Sequence, residues 1–250
     1  MPRGGGVFNW RRPAVMSVTT LVLLAAGGAL SYQHGLVRLA YPSVEAFPVW
    51  GIDVSHYQGA VDWERVSTDD IRFAYIKASE GGDWRDPFYA TNMDGAQANG
   101  IRVGAYHFFT LCRRGSEQAQ NFLALLPPKI DLPPVIDLEY GGNCAARPSR
   151  EEFERELSAF INAIASERGT VPVFYATEDF YTDYLAGGLF ASSPLWVRDI
   201  VGGLSWPNEG RLVFRQFANN GRVDGIAGPV DLNHFMGSLE EFEAVFPRQQ

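Results

Sequence analysis

Two carboxylates follow an apolar run in the middle of the chain, and their spacing suits acid–base chemistry. Asp137 and Glu139 are separated by one residue and come directly after Val135 and Ile136. The apolar run predicts a buried strand, whose side chains at alternate positions face the same way, with Cα atoms roughly 6–7 Å apart. Carboxylates this close raise each other's pKa, so one can stay protonated beside an anion. Cleavage of a glycosidic bond requires such a pair, although acids at a strand end also commonly face water or an arginine.

The elements around this pair alternate between strands and helices, which predicts βα units and a parallel sheet. Strands are predicted for residues 49–55, 71–77, 101–109, 132–140, 171–177, 194–197, 212–217 and 230–232. Helices are predicted for residues 61–66, 86–99, 116–127, 149–169 and 238–246, with Asp86, Ser116 and Ser149 as N-caps. About eight strands with fewer helices predict an α/β fold, a modified TIM-barrel-like (β/α) barrel.

Acids and aromatic residues recur where these predicted strands end. In a barrel of this kind the site lies at the carboxyl ends of the strands, so these side chains are expected to meet. The candidates are Asp53, Lys77, Glu80, Tyr106, His107, Phe108, Asp137, Glu139, Tyr175, Trp196, Arg198, Gln216 and Asp231. Solvation alone does not explain acids and aromatics at most strand ends. The pattern therefore favours a functional site. For two of these residues a structural role is the alternative: His107 as a hydrogen-bonded residue of the fold, and Lys77 as a member of a buried ion pair.

The N-terminal residues differ in composition from the rest of the chain. Residues 14–32 carry no charge and follow Arg11 and Arg12, which predicts a membrane anchor with residues 1–13 in the cytoplasm. A cleaved signal peptide and a buried helix of the fold are the alternatives. Residues 33–48 are then a tether and residues 49–250 the catalytic domain, placed outside the cytoplasm or secreted.

The overall composition excludes some functions. The chain has 250 residues, 46% of them hydrophobic, and a net charge of −8, which allows a large core and argues against nucleic acid as a partner. Cys112 and Cys144 are the two cysteines, and in an exported protein an even count suggests a disulfide. No metal-ligand spacing accompanies them, so neither a metal nor another cofactor is expected.

Several separated motifs resemble glycoside hydrolase family 25, the Chalaropsis-type lysozymes or N-acetylmuramidases, over about residues 50–246. They are Gly51-Ile52-Asp53-Val54-Ser55-His56-Tyr57-Gln58-Gly59, Phe73-Ala74-Tyr75-Ile76-Lys77-Ala78-Ser79-Glu80-Gly81, Val103-Gly104-Ala105-Tyr106-His107-Phe108, the stretch ending Asp137-Leu138-Glu139, Leu195-Trp196-Val197, Gln216-Phe217 and Val230-Asp231-Leu232-Asn233. The chain departs from the family pattern at Arg198 and Arg215, where many members carry other residues.

The resemblance implies hydrolysis of the β-1,4 bond between N-acetylmuramic acid and N-acetylglucosamine in peptidoglycan. By that resemblance Glu139 is the general acid/base, and Asp137 assists the substrate's N-acetyl group as internal nucleophile, with retention of configuration. Asp53 and Asp231 match the family's two further acids. Tyr106, Tyr175 and Trp196 would offer flat faces to sugar rings.

Two other functions stay open beside a monomeric, membrane-tethered peptidoglycan hydrolase. A chitinase-like β-N-acetylglucosaminidase also uses two acids and substrate assistance, but its further upstream acids have no counterpart between Leu132 and Ile136. A non-catalytic glycan-binding protein would be favoured if the site acids were lost, and all four are present. The physiological role within the cell wall does not follow from the sequence.

Overall fold

The computed structural model describes residues 11–33, 35, 37–202 and 211–248, with the side chains of residues 11–17, 33 and 211 left out. The chain divides into two units, Met1–Arg38 and Leu39–Gln250. In the first unit, helix α1 spans Arg11–Gln33 and contains the predicted apolar segment. Within the described part of the chain, no helix is both long and apolar enough to cross a bilayer. The anchor stays a prediction, and residues 1–10 of the predicted cytoplasmic segment lie outside the described residues.

The second unit is built on a barrel. Its strands are β1 (Trp50–Val54), β2 (Ile71–Glu80), β3 (Trp84–Arg85), β4 (Arg102–Phe108), β5 (Val135–Leu138), β6 (Val173–Ala176), β7 (Pro194–Arg198), β8 (Arg211–Gly221) and β9 (Val230–Phe235). The order β1-β9-β8-β7-β6-β5-β4-β2 is closed by pairing of β1 with β2, while β3 extends only the end of β2. The predicted eight-stranded modified barrel is confirmed.

The last strand differs from the fully parallel expectation. β9 runs antiparallel to both β8 and β1, whereas the other neighbouring barrel strands are parallel. The physical reason is the short connection of residues 222–229, which forms turns and holds no helix that could carry the chain back for a parallel strand. As a consequence, the amino end of β9 lies on the same rim as the carboxyl ends of the parallel strands.

The helices of this unit form a reduced outer layer. They are α2 (Trp63–Val66), α3 (Tyr89–Ala98), α4 (Gly115–Leu123), α5 (Arg150–Arg168), α6 (Glu178–Phe180) and α7 (Leu239–Val245), with a 3₁₀ turn at His56–Gln58 and a π-helical turn at Tyr181–Leu185. The capping box predicted at Ser149 is confirmed, since Ser149 and Glu152 cap each other's backbone N–H groups. Gly169 ends α5 in the left-handed conformation at φ 67°.

Two predicted helix starts are wrong. Asp86 does not cap α3, which begins three residues later with Phe88 at the N-cap. Instead the buried Asp86 carboxylate accepts hydrogen bonds from the backbone N–H groups of His56 and Phe88, at 2.8 and 2.9 Å. Helix α4 begins one residue before the predicted cap Ser116. Asp and Ser side chains accept hydrogen bonds from backbone N–H groups in turns as well as at helix N-caps, so their presence alone does not locate a helix start.

Aromatic side chains fill the barrel, most of all at the end where the parallel strands begin. Tyr75 packs on Trp196 with ring centroids 4.9 Å apart, and Phe214 packs on Phe73 at 5.0 Å. Phe242 of α7 lies 5.8 Å from Phe73, so this helix covers the amino ends of the parallel strands. Aromatic packing therefore fills the centre of the barrel at that end.

Candidate active site

The four candidate acids come together at the carboxyl-end rim of the barrel. Asp53 of β1 lies directly opposite Asp231 of β9 in the antiparallel register. Asp137 is the third residue of β5, and Glu139 follows directly after that strand. Parallel strands bring their carboxyl ends to one rim, and the reversed β9 adds its amino end there. Four acids from three strands therefore share one cleft.

This cleft is a cavity of about 280 Å³. Its lining is Asp53, Val54, Ser55, Tyr57, Gln58, Lys77, Glu80, Tyr106, Phe108, Val135, Asp137, Glu139, Gly141, Gly142, Tyr175, Trp196, Gln216 and Asp231. The structure thus brings together all the predicted site residues except His107 and Arg198. Burial raises the pKa of Glu139, Asp53 and Asp231, and the charge of Arg198 opposes this rise.

Asp53 is held by two amide side chains. Its Oδ2 accepts hydrogen bonds from Gln216 Nε2 at 3.1 Å and Asn233 Nδ2 at 2.8 Å. Each amide is oriented in turn, because Tyr175 OH donates to Gln216 Oε1 and Trp196 Nε1 donates to Asn233 Oδ1, both at 3.0 Å. With their carbonyl oxygens occupied, both amides must present N–H groups to Asp53. The buried aromatic residues of the cleft thus position a carboxylate.

Asp53 and Asp231 also share a side-chain hydrogen bond. Burial raises the pKa of both, and the nearby charge of Asp53 raises that of Asp231 further. The side-chain hydrogen bond between them lowers the pKa of Asp53 and raises that of Asp231. Burial and this hydrogen bond thus act in the same direction on the pKa of Asp231 and in opposite directions on the pKa of Asp53.

Asp137 is the most deeply buried acid of the cleft. Its Oδ1 atom is buried and has no hydrogen-bond partner within the described ranges. Burial, and then the charge of Glu139, raise its pKa well above the ordinary aspartate range. A buried carboxylate oxygen without a donor is costly unless a bound group supplies one. Asp137 therefore has an acceptor available to a ligand in the cavity.

Glu139 has the properties of an acid that works near neutral pH. Burial raises its pKa to about 7, and the positive charges of Arg198 and Lys77 oppose the rise. A group with such a pKa is protonated often enough to donate and can also accept a proton back. The strand end thus places a potential general acid two residues after an unpartnered carboxylate.

Lys77 and Glu80 form an ion pair on the wall of the cavity. Lys77 Nζ lies 2.8 Å from Glu80 Oε2, and it also lies over the rings of Trp84 and Phe108, 5.1 and 4.8 Å from their centroids. The buried ion pair that the sequence allowed is present, and both partners also face the cavity. The lysine charge opposes the rise that burial causes in the pKa of Asp137 and Glu139.

His107 lies away from the cavity. Its Nδ1 is 2.8 Å from Ser79 Oγ and its Nε2 is 3.3 Å from Gln118 Oε1, and its ring packs between Phe122 and Phe160. Burial lowers its pKa to about 3, so it is neutral. The alternation of side chains along β4 explains the placement, because Tyr106 faces the barrel interior and His107 faces the helices. The structural interpretation of His107 fits this environment.

The structure adds residues to the site that the sequence left aside. Tyr57 lines the cavity rim with 83% of its surface exposed, and its ring is tilted against that of His56 with centroids 4.1 Å apart. Asn233 holds Asp53, and its position two residues after Asp231 could have predicted this through strand alternation. Gly141 and Gly142 belong to the loop after β5 and have no side chain to signal a role.

The predicted cysteine pair lies beside this loop. Cys112 and Cys144 are at disulfide-bonding distance, with Cα atoms 6.3 Å apart. Between them Asn143 accepts a hydrogen bond from Leu111 N and donates to the backbone oxygens of Phe109 and Glu139, all at 2.9 to 3.0 Å. Hydrogen bonds of Asn143 thus connect the loops after β4 and β5 next to Glu139.

Comparison with known proteins gives a consistent assignment. Residues 52–226 match the sequence profile of "Glycosyl hydrolases family 25". The protein YegX of Escherichia coli (strain K12) is 35% identical over 211 residues, 80% of this chain and 74% of its own length. Lysozyme M1 of Streptomyces globisporus is 33% identical over 211 residues, 79% of this chain and 71% of its own length.

A solved structure agrees with these sequences. The family 25 glycosyl hydrolase from Bacillus anthracis superimposes with a TM-score of 0.74 at 33% identity, over 83% of this chain and 98% of that chain. The resemblance seen in the motifs is confirmed by the profile, the relatives and the fold together. The chain is a member of glycosyl hydrolase family 25.

Proposed function

We propose that this chain is a lysozyme that hydrolyses the β-1,4 bond between N-acetylmuramic acid and N-acetylglucosamine in peptidoglycan. The observation that carries the proposal is the pair at the end of β5, in which Glu139 has a pKa of about 7 beside the unpartnered Asp137. Family membership and the name of the Streptomyces globisporus relative, Lysozyme M1, support the same substrate.

Glu139 is the general acid and then the general base. In its protonated form it donates to the oxygen of the leaving sugar while the glycosidic C–O bond breaks. The resulting carboxylate then takes a proton from the water that attacks the anomeric carbon, which restores the acid. One residue serves both steps because its pKa of about 7 allows both protonation states at working pH.

Asp137 positions the nucleophile that the substrate supplies. Its free Oδ1 accepts the N–H of the substrate's N-acetyl group, whose carbonyl oxygen attacks the anomeric carbon. This hydrogen bond favours the anionic form of Asp137 and offsets the effect of burial on its pKa. The attack comes from the face opposite the leaving sugar and forms a cyclic intermediate. Water then opens this intermediate from the face that the leaving sugar occupied, so configuration is retained.

The aromatic residues divide into two roles. Trp196 and Tyr175 are 2% and 8% exposed and are engaged in the hydrogen bonds that fix Asp53, so they form the floor of the cleft. Tyr106 completes this floor. Tyr57, at the rim and largely exposed, offers a ring face on which a sugar can stack.

The decisive experiment is digestion of purified peptidoglycan with mass analysis of the new reducing ends. The wild-type chain should release fragments that end in N-acetylmuramic acid, and Glu139→Gln should release almost none. Chitin oligomers serve as the control substrate. Ends in N-acetylglucosamine, or cleavage of chitin at a similar rate, would favour the chitinase-like alternative, and binding without cleavage would favour a glycan-binding protein.

The site of action follows from the substrate. Peptidoglycan lies outside the cytoplasm, so the catalytic unit acts there, as a monomer without a cofactor. The uncharged residues 14–32 after Arg11 and Arg12 support export and retention at the membrane, with a cleaved signal as the alternative.

A further inference from the structure

A second pocket lies at the opposite end of the barrel from the acids. It has a volume of about 200 Å³ and lies where β2 and β4 begin and α7 packs. Three arginines line it, Arg72, Arg102 and Arg248, together with one acid, Glu243. We call it the basal arginine pocket. Its side chains carry a net positive charge in a protein whose net charge is −8.

Arg102 is the central residue of this pocket. It is the first residue of β4, is only 6% exposed, and its guanidinium lies 5.5 Å from the centroid of the Phe242 ring. Its Nη1 is buried and has no hydrogen-bond partner in the described part of the chain. A buried guanidinium N–H without an acceptor costs free energy, because it has lost water and gained nothing.

The neighbouring charges increase this need for an anion. Burial, and then the charge of Arg248, lower the pKa of Arg102, while Asp131 and Glu243 oppose the change. Within the ranges that the structure describes, neither acid forms an ion pair with Arg102. Asp131 Oδ2 instead accepts from the backbone N–H of Val103 at 3.2 Å. The repulsion between the guanidinium groups is therefore only partly balanced by the protein.

Arg72 and Arg248 stand at the mouth of the pocket. Both are exposed, and Arg248 is placed over the pocket because its Nη2 donates to the backbone oxygen of Gly100 at 3.2 Å. A guanidinium offers several N–H donors in a plane, so each arginine retains donors for a bound anion. Two exposed arginines beside one buried arginine can contact a ligand from three sides.

We infer that the basal arginine pocket binds a phosphate group. Arginine pairs with phosphate through two parallel hydrogen bonds, and a phosphate has enough oxygens for three guanidinium groups. A single carboxylate has two oxygens and would leave part of this charge unbalanced. The phosphate can belong to a soluble phosphate ester or to a phospholipid headgroup, and both offer the same oxygens to the pocket.

The position of the pocket gives the binding a consequence. Because it lies at the amino ends of the strands, a ligand held there leaves the acidic cleft at the other rim free for glycan. Binding of a phospholipid headgroup there would hold the enzyme near its substrate without occupying the catalytic site.

The test measures binding of glycerol 3-phosphate by calorimetry to the full chain and to variants. Arg72→Gln with Arg248→Gln removes two exposed charges, so the fold should be kept, and affinity should fall about a hundredfold, or tenfold for each arginine. Arg102→Met tests the buried residue. Arg155→Gln is the matched control, since Arg155 is an exposed arginine paired with Glu156 on α5 and far from the pocket in the fold.

A second arm identifies the source of the phosphate. Vesicles of phosphatidylglycerol are compared with vesicles of phosphatidylcholine for the wild type and the Arg72→Gln/Arg248→Gln variant, in which any contribution of α1 is the same. Weaker binding of the variant to phosphatidylglycerol alone indicates a lipid headgroup, and an effect confined to glycerol 3-phosphate indicates a soluble ester. Peptidoglycan hydrolysis should stay within twofold of wild type in every variant, which also shows that each is folded.

Three results would overturn the inference. They are no binding of wild type in either arm, equal binding of wild type and double variant in both arms, and an equal loss in Arg155→Gln. The last result would mean that the anion responds only to net charge.

Discussion

The four acids of the cleft carry the same functional group, and their surroundings separate their roles. Burial raises the pKa of Asp53, and the hydrogen bonds that it accepts from two amide N–H groups oppose this rise. Asp137 is buried, and its Oδ1 accepts no hydrogen bond from the described residues. Burial also raises the pKa of Glu139, but the charges of Arg198 and Lys77 oppose this rise. A carboxylate oxygen without a hydrogen-bond donor can position the substrate, as we propose for Asp137. A carboxyl group with a pKa of about 7 can transfer a proton, as we propose for Glu139.

The role of Glu139 predicts a large loss of activity on a small change. Glu139→Gln keeps the shape of the side chain but cannot donate the proton, so turnover of peptidoglycan should fall on the order of 10²-fold or more. Glu64→Gln, the same change on the exposed face of α2, is the control and should have no effect. A Glu139→Gln variant that digests peptidoglycan at nearly the wild-type rate would show that another group is the acid.

Arg198 should set the alkaline limit of activity. The acid form of Glu139 is needed, so kcat/KM should fall as pH rises through about 7. The charge of Arg198 lowers this pKa, and Arg198→Gln should therefore shift the alkaline limb to higher pH. The measurement is a pH profile of peptidoglycan hydrolysis for both proteins. A limb that stays in place, or moves to lower pH, would separate Arg198 from Glu139.

The same pKa predicts a pH-dependent stability. The pKa of Glu139 is about 7 in the fold against 4.5 for the free side chain, so its contribution is fully present below about pH 4.5 and is lost as pH rises through 7. Glu139→Gln should stabilise the fold by up to about 3 kcal/mol at pH 8 and much less at pH 4.5. Thermal unfolding at both pH values tests this, and an equal change in Tm at both would contradict it.

At the scale of elements, the sequence predicted what depends on local pattern. Apolar runs and strand alternation located Asp137 and Glu139, and the capping box at Ser149 located the start of α5. The direction of β9 was missed because it depends on the short connection before it and on pairing with β1. Asp86 was assigned to a helix cap because sequence does not show that its carboxylate is taken by His56, which lies far away in the chain.

The loops after β4 and β5 allow a prediction at this scale. A Cys112–Cys144 bridge closes a segment with a sequence separation of 32. In the chain-entropy model it contributes roughly 3–4 kcal/mol, so Cys144→Ser should lower the free energy of unfolding by about that amount. Urea unfolding of both proteins measures the difference, and the same comparison in reducing agent is the control, where the difference should vanish. Two freely alkylated cysteines in the exported protein would contradict the bridge.

Across the whole molecule, charge is separated between the two ends of the barrel. The acids that meet at one rim were visible in the sequence because family motifs and strand ends mark them. Arg72, Arg102 and Arg248 were not, since they belong to β2, β4 and the segment after α7 and share no spacing. The three arginines come together only when the barrel closes and α7 packs against the amino ends of its strands. Long-range topology therefore limits what local sequence pattern can predict here.

The order of segments along the chain predicts how far the enzyme can act from a membrane. The expected tether, residues 33–48, joins the predicted membrane segment to the catalytic domain. As a flexible coil of about 16 residues, this tether would reach roughly 20–25 Å on average, and at most about 55 Å when extended.

We expect residues 14–32 to be retained in the membrane with the N-terminus in the cytoplasm, because Arg3, Arg11 and Arg12 precede them and no charge follows before Arg38. The catalytic unit would then cut only glycan strands close to the membrane, and lengthening the linker by twenty Gly/Ser residues should increase the release of fragments from intact walls but not from soluble peptidoglycan. Cell fractionation with N-terminal sequencing supplies the direct measurement. A soluble exported form that begins between about residues 28 and 45 would identify a cleaved signal, and linker length would then have no effect on either substrate.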